Sequence, residues 1–136
     1  MKRRRIELTP VEWEIMQVVW KSDRPLTVRE VLTTAYPDAP PAYTTVQTVM
    51  NNLVTRKRIL RRRKVGPVNV YEAAVSQESV RGRSLETLVG WLFHGSFGNM
   101  ASYLVTSGRL SRAEIENLQA ILDEAARARG RRGDKS

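Results

Sequence analysis

Apolar residues recur along the first third of the chain with helical spacing, and each recurrence is opened by a start signal. Thr9-Pro10-Val11-Glu12 puts Thr at an N-cap, Pro at the first helical position and Glu at the third, with Leu8 and Trp13 spaced as a hydrophobic staple. Trp13, Met16 and Trp20, flanked by Val19, share one face of the helix that follows, which should end near Lys21; such an aromatic stripe reads as core. A second box, Thr27-Val28-Arg29-Glu30, opens a short helix that stops near Tyr36, before Pro37, Pro40 and Pro41. A third helix, residues 44–55, buries Val46, Val49, Met50 and Leu53. Beyond it come a charged strand within residues 56–64, a Gly66-Pro67 turn and an alternating segment, residues 68–73. The alternation sends Val68 and Val70, with Leu60, toward the core and Asn69 outward, and leaves Tyr71 opposite Val70. Helix, charged strand, tight turn and strand outline a winged helix.

From about residue 76 the pattern changes. Residues 76–84 are polar and include Gly82, which suits a hinge or a frayed helix start. Leu85, Leu88, Val89, Leu92 and Phe93 make one helical stripe; Phe97, Met100, Tyr103 and Leu104 make a second. A third helix opens with the box Ser111-Arg112-Ala113-Glu114, stapled by Leu110 and Ile115, and continues through Leu118, Ile121, Leu122 and Ala125. Roughly fifty residues in three short helices bury too small a fraction of their area to hide this much apolar surface. A two-fold homodimer through Leu85, Leu88, Leu92, Phe93, Phe97, Met100, Leu104, Ile115, Leu118, Ile121 and Leu122 is the economical expectation. The alternative folds these helices back on the winged helix of the same chain. The expected class is mainly α with a small β-wing: a winged helix-turn-helix in residues 1–75, a helical dimerisation region in residues 76–126 and a basic disordered tail in residues 127–136.

Charge adds a partner. The chain has 136 residues and a formal net charge of +9, which favours polyanions. Residues 1–75 hold 14 Lys and Arg against 7 Asp and Glu, a net of +7, whereas residues 76–136 hold 9 against 7, a net of +2. Within the first half, residues 56–64 (RKRILRRRK) carry seven positive charges and no acid. Charge runs are often solvated, and edge strands use Lys and Arg against aggregation. Four in succession exceed that need, so Arg56, Lys57, Arg61, Arg62, Arg63 and Lys64 are expected on the phosphates of double-stranded DNA.

The third helix supplies the complementary chemistry. Thr44, Thr48, Asn51 and Thr55 point most directly away from its buried stripe, with Thr45, Gln47 and Asn52 on the flanks. An Asn can bond adenine in bidentate fashion, and a Thr can offer its methyl to thymine or its hydroxyl to either partner. A polar helix face alone reads as solvated. This one lacks the Glu/Lys pairs that support exposed helices and abuts the basic run, which favours base reading.

Other chemistries are poorly supported. There is no cysteine, and one histidine, His94, cannot build a metal site; neither metal nor cofactor is expected. With no Gly-rich phosphate loop and no acid paired to His94, an enzyme is not expected. The opening MKRRRIEL begins like a signal peptide but runs into an acidic amphipathic segment, and no stretch approaches the roughly 18 apolar residues of a membrane span. A cytoplasmic protein without direct membrane insertion is expected.

Leu8-Thr9-Pro10-Val11-Glu12-Trp13-Glu14-Ile15-Met16, Tyr43-Thr44-Thr45-Val46-Gln47-Thr48-Val49-Met50-Asn51-Asn52-Leu53, Asn69-Val70-Tyr71 and Leu110-Ser111-Arg112-Ala113-Glu114-Ile115 occur in that order. Over residues 6–125 the chain resembles the BlaI/MecI/CopY family of bacterial transcriptional repressors. The resemblance implies a homodimer whose winged helices bind an inverted-repeat operator, silencing antibiotic-resistance or stress genes until a signal arrives. The copper-responsive branch carries a C-terminal cysteine cluster that this chain lacks. In the penicillinase branch the inducing partner is a membrane sensor/protease system, with cleavage at an Asn-Phe bond; the equivalent pair here is Tyr103-Leu104, which leaves the inducing signal open. The competing function is a non-specific or architectural nucleic-acid binder, in which the ribbon matters and the Thr/Asn face does not.

Overall fold

The computed structural model describes residues 7–131; residues 1–6 and 132–136, the end of the basic tail among them, lie outside the described residues. In chain order the elements are α1 (Pro10–Lys21), α2 (Val28–Ala35), α3 (Tyr43–Thr55), β1 (Leu60–Val65), β2 (Val68–Ala73), α4 (Gln77–Phe93), α5 (Phe97–Thr106) and α6 (Arg112–Arg131). The fold is mainly helical with one two-stranded antiparallel ribbon, a winged helix followed by further helices.

The start signals close as hydrogen bonds. Thr9 Oγ1 accepts from the Glu12 N–H while Glu12 Oε1 accepts from the Thr9 N–H, and Thr27 with Glu30 and Ser111 with Glu114 repeat the exchange. Each box satisfies two amides that the helix itself cannot. Among the described residues the chain divides into two compact units, with the boundary after Thr87.

In the first unit α1, α2 and α3 pack about a core of Ile15, Met16, Val31, Val46, Met50 and Leu53, closed by Ile59, Leu60 and Tyr71 of the ribbon region. Trp13 and Trp20 pack against it with ring centroids 5.8 Å apart, and the Trp20 indole N–H donates to the Val75 carbonyl at 3.0 Å. That bond satisfies the polar tip of a largely apolar side chain. A one-residue bridge between Leu26 and Tyr71 extends the ribbon on the β2 side.

Two expectations about organisation are corrected. Of the two courses open to residues 76–84, hinge or helix start, the structure shows the second: Ser76 caps α4 by accepting from the Ser79 N–H, and Val80 is wholly buried in the winged-helix core. The boundary expected after residue 75 therefore shifts into α4, because one apolar residue in a polar stretch suffices to dock a helical turn. Residues 127–131, expected as disordered tail, continue α6. Arg and Ala favour helix, basic side chains suit a C-terminal turn, and Arg127 pairs with Glu124 at 2.9 Å.

The second unit is marked by what it leaves uncovered. No residue of α5 or α6 is buried; Leu92 and Leu122 are each 62% exposed and Ile121 54%. Phe93, Met100 and Leu104 are half-buried, and Phe93 meets Tyr103 at 5.9 Å between ring centroids. A groove of about 300 Å³ is lined by Met100, Leu104, Leu110, Ile115, Leu118 and Leu122 among others.

Candidate nucleic-acid interface

Helix α3 is pinned from one side by Val46, Met50 and Leu53, all buried, with Val49 packed at the margin. The opposite face is thereby turned outward: Thr44, Thr45, Thr48 and Thr55 are exposed, and Gln47, Asn51 and Asn52 are half-buried. Thr55 turns its hydroxyl back to the Asn51 carbonyl at 3.0 Å. The N-cap residue Ala42 offers no side-chain acceptor, so the first-turn amides of α3 have no capping side chain. Beside them the Arg29 guanidinium lies 4.9 Å above the Tyr43 ring. Sequence pattern misses this cation because Arg29 belongs to the capping box of α2, and only the fold brings it to the start of α3.

The ribbon pairs Leu60 with Ala73, Arg62 with Tyr71, Lys64 with Asn69 and Val65 with Val68. Directly opposed residues share a face. Leu60, Arg62, Lys64, Asn69, Tyr71 and Ala73 thus lie on one side, and Arg61, Arg63, Val65, Val68, Val70 and Glu72 on the other. The core-facing assignment of Val68 and Val70 is overturned: Val68 is 45% exposed, while Leu60 and Tyr71 are buried. Tyr71 buries more apolar surface than either valine, and its hydroxyl finds an acceptor inside. Gly66, with φ 61°, occupies the first central position of the two-residue hairpin loop, where a positive φ is required.

The basic residues fall into separate environments. Arg63 and Lys64 are exposed on opposite faces of the ribbon, and Arg56 is exposed at the end of α3. Arg61 is exposed too, but Nη1 lies 3.0 Å from Glu72 Oε2 across the strands. Lys57, expected on a phosphate, has partners within the chain. Its Nζ lies 2.7 Å from Glu12 Oε1 and also donates to the Glu7 carbonyl, so the ammonium is engaged inside the protomer.

Asn51, expected on a base edge, has partners within the chain as well. Its Oδ1 accepts from Arg62 Nη1 at 2.7 Å and from the Tyr71 hydroxyl at 2.9 Å. Two donors face that atom, which fixes the amide orientation, since Nδ2 in its place would set donor against donor. Both lone pairs of Oδ1 are then occupied, and a bidentate bond to adenine would require one of them. Burial holds the Tyr71 phenol above its ordinary pKa, with the Arg62 guanidinium pulling the other way, so Tyr71 stays a neutral donor. The fold joins the outward face of α3 to the basic ribbon at this point, through Asn51 and Arg62.

Residues 8–124 match the family profile described as penicillinase repressor. Over 127 residues the chain is 20% identical to the penicillinase repressor of Staphylococcus aureus, covering 93% of this chain and 99% of that protein. It is 21% identical over 124 residues to the methicillin resistance regulatory protein MecI of Mammaliicoccus sciuri, covering 91% and 99%. Against the penicillinase repressor of Bacillus licheniformis identity is 25% over 118 residues, covering 87% and 91%.

Proposed function

Since the chain belongs to the penicillinase repressor family, a family of transcriptional repressors and not of enzymes, we propose that it binds an inverted-repeat operator as a homodimer and silences a resistance or stress gene. The observation that carries this reading is the adjacency of two chemistries. The outward face of α3 offers Thr44, Thr45, Gln47, Thr48, Asn52 and Thr55, whose side chains can bond base edges, and beside it the ribbon offers Arg61, Arg63 and Lys64, which suit phosphates. Arg56 lies at the C-terminal end of the same helix, and Arg29 stands at its N-terminus, where backbone amides and a cation together favour a phosphate. A dimer is supported by the apolar side chains that α5 and α6 leave uncovered. Among the described residues no helix is long and apolar enough to cross a membrane.

The test is to select bound fragments from the source genome with the purified chain and compare their affinity with random duplex of equal length. An operator-binding repressor should recover an inverted repeat and prefer it by at least about 10³ at physiological salt. Equal binding to both would move the protein to the class of non-specific nucleic-acid binders.

A further inference from the structure

Arg62 differs from the other cations of the ribbon. Arg61 and Arg63 stand on the face turned away from Tyr71, and Arg61 is paired with Glu72. Lys64 shares the face of Arg62 but lies two residues nearer the tip. Arg62 donates to a residue of the outward face of α3, through Nη1 to Asn51 Oδ1 at 2.7 Å. On a helix, Asn51 has Thr48 and Thr55 as surface neighbours, three and four residues away. The guanidinium is therefore held level with the side chains assigned to base reading, and not out along the ribbon.

That placement is rigidly backed. Tyr71, 1% exposed, is tied to Leu26 through both backbone groups, N–H to carbonyl at 2.7 Å and carbonyl from N–H at 2.9 Å. Its hydroxyl donates to the same Asn51 oxygen at 2.9 Å. Asn51 thus sits between a buried anchor and a long-stemmed cation, and orients the second by the first. Arg62 uses one Nη1–H in this bond and its guanidinium also lies within reach of the Tyr71 hydroxyl; a guanidinium carries five donors, and two of them presented in one plane match O6 and N7 of guanine.

We infer that Arg62 is a base-reading residue contributed by the wing, directed at the major-groove edge of a guanine, and that Asn51 and Tyr71 are its positioning residues. The inference rests on the operator-binding reading above and changes the part played by two residues within it. Asn51 acts through Arg62, and Arg62 supplies sequence preference as well as charge.

The experiment uses the full chain, a genomic operator selected as above and a scrambled duplex of the same length, with circular dichroism to check the fold of each variant. Arg62→Ala should weaken operator binding about 5- to 150-fold, the range for one bidentate bond to a base, and binding to the scrambled duplex far less. Arg63→Ala should weaken both equally. Asn51→Ala should lower the operator preference in the wild-type background and leave it unchanged when Arg62 is already Ala, because residues acting as one unit are not additive. Asn51→Asp keeps the acceptor oxygen, so it should weaken both duplexes by its charge while preserving their ratio, which a directly base-reading Asn51 would not do. Replacing single operator guanines by 7-deazaguanine should reveal a position that matters to the wild type and not to Arg62→Ala. Equal losses on both duplexes for Arg62→Ala, or an Asn51→Ala effect that persists without Arg62, would overturn the inference while leaving operator binding intact. A wild-type chain that does not separate the two duplexes would defeat the operator reading itself, and the inference with it.

Discussion

Lys57 Nζ lies 2.7 Å from Glu12 Oε1, joining the C-terminal end of α3 to the first turn of α1. Glu12 is the acid of the α1 capping box, and its side chain is 11% exposed against 28% for Lys57. Removing the lysine leaves a largely desolvated carboxylate with one charged partner fewer, so Lys57→Ala should cost about 1.5–3 kcal/mol, the range for a hydrogen bond to a charged group. The same variant should leave the slope of log K against log salt nearly unchanged. Arg63→Ala should behave in the opposite way, with little loss of stability and a slope smaller by about 1, because one phosphate fewer is neutralised. Urea unfolding and a salt titration on the same samples separate the two; a reduced slope for Lys57→Ala would return that residue to the phosphate-binding set.

Arg58 adopts φ 59°, and across it the Ile59 N–H donates to the carbonyl of Leu53, six positions earlier, at 3.1 Å, turning the chain back after the end of α3. Glycine usually occupies this left-handed position, where a Cβ costs roughly 1–2 kcal/mol. Part of that gain is offset by the greater freedom of glycine in the unfolded chain, so Arg58→Gly should stabilise by about 0.5–1 kcal/mol. The denaturant midpoint should rise with an unchanged m-value. Arg58→Ala relieves no backbone strain, and an equal gain from it would show that charge, not φ, sets the effect.

Tyr36 donates its hydroxyl to Glu14 Oε1 at 2.7 Å, linking the end of α2 to α1. Burial, and then the hydrogen bond and charge of Glu14, push its pKa up to about 12. A folded pKa above the unfolded one means that the unfolded chain loses the proton first. The contribution is therefore complete below about pH 10, the ordinary tyrosine value, and is lost as pH rises toward about 12. Tyr36→Phe should flatten the alkaline fall in stability over that window and leave the neutral range nearly level. A parallel fall in both proteins, followed by urea midpoints, would remove Tyr36 as the cause.

Much of the winged helix is legible in the sequence because its signals are local. A capping box spans four residues, and Thr9 with Glu12, Thr27 with Glu30 and Ser111 with Glu114 all form as their spacing implies. The buried face of the ribbon is not legible in the same way, because alternation identifies two faces without saying which is buried. Tyr71 makes that choice, and its partners Leu26 and Asn51 lie far away in sequence. Lys57 and Asn51 escape sequence reasoning for a related cause. Composition shows a cation or an amide as available, whereas only folding reveals that Glu12 and Arg62 have engaged it. The first turns of α4 carry a hinge-like composition since one buried residue, Val80, makes no periodic pattern.

The proposed dimer makes the sharpest separation between fold and assembly. Ile115, Leu118, Ile121 and Leu122 follow one another at helical spacing on α6, and within the protomer none is buried. An aspartate at Ile121 or Leu122 meets water in the isolated protomer, so Ile121→Asp and Leu122→Asp should leave helix content and the unfolding of the winged helix nearly unchanged. In a dimer interface the same carboxylate would be desolvated without a partner, which disfavours association strongly. Sedimentation should then show a monomer at concentrations where the wild type is a dimer. Coupling through one dimer makes engagement of the second half-site effectively intramolecular, so affinity for a two-half-site duplex should fall by about 10² or more while a single half-site is bound nearly as before. A wild-type chain that sediments as a monomer, or an Ile121→Asp variant that grips the two-half-site duplex as tightly as the wild type, would mean that the apolar face of α6 serves something other than pairing two copies of this chain.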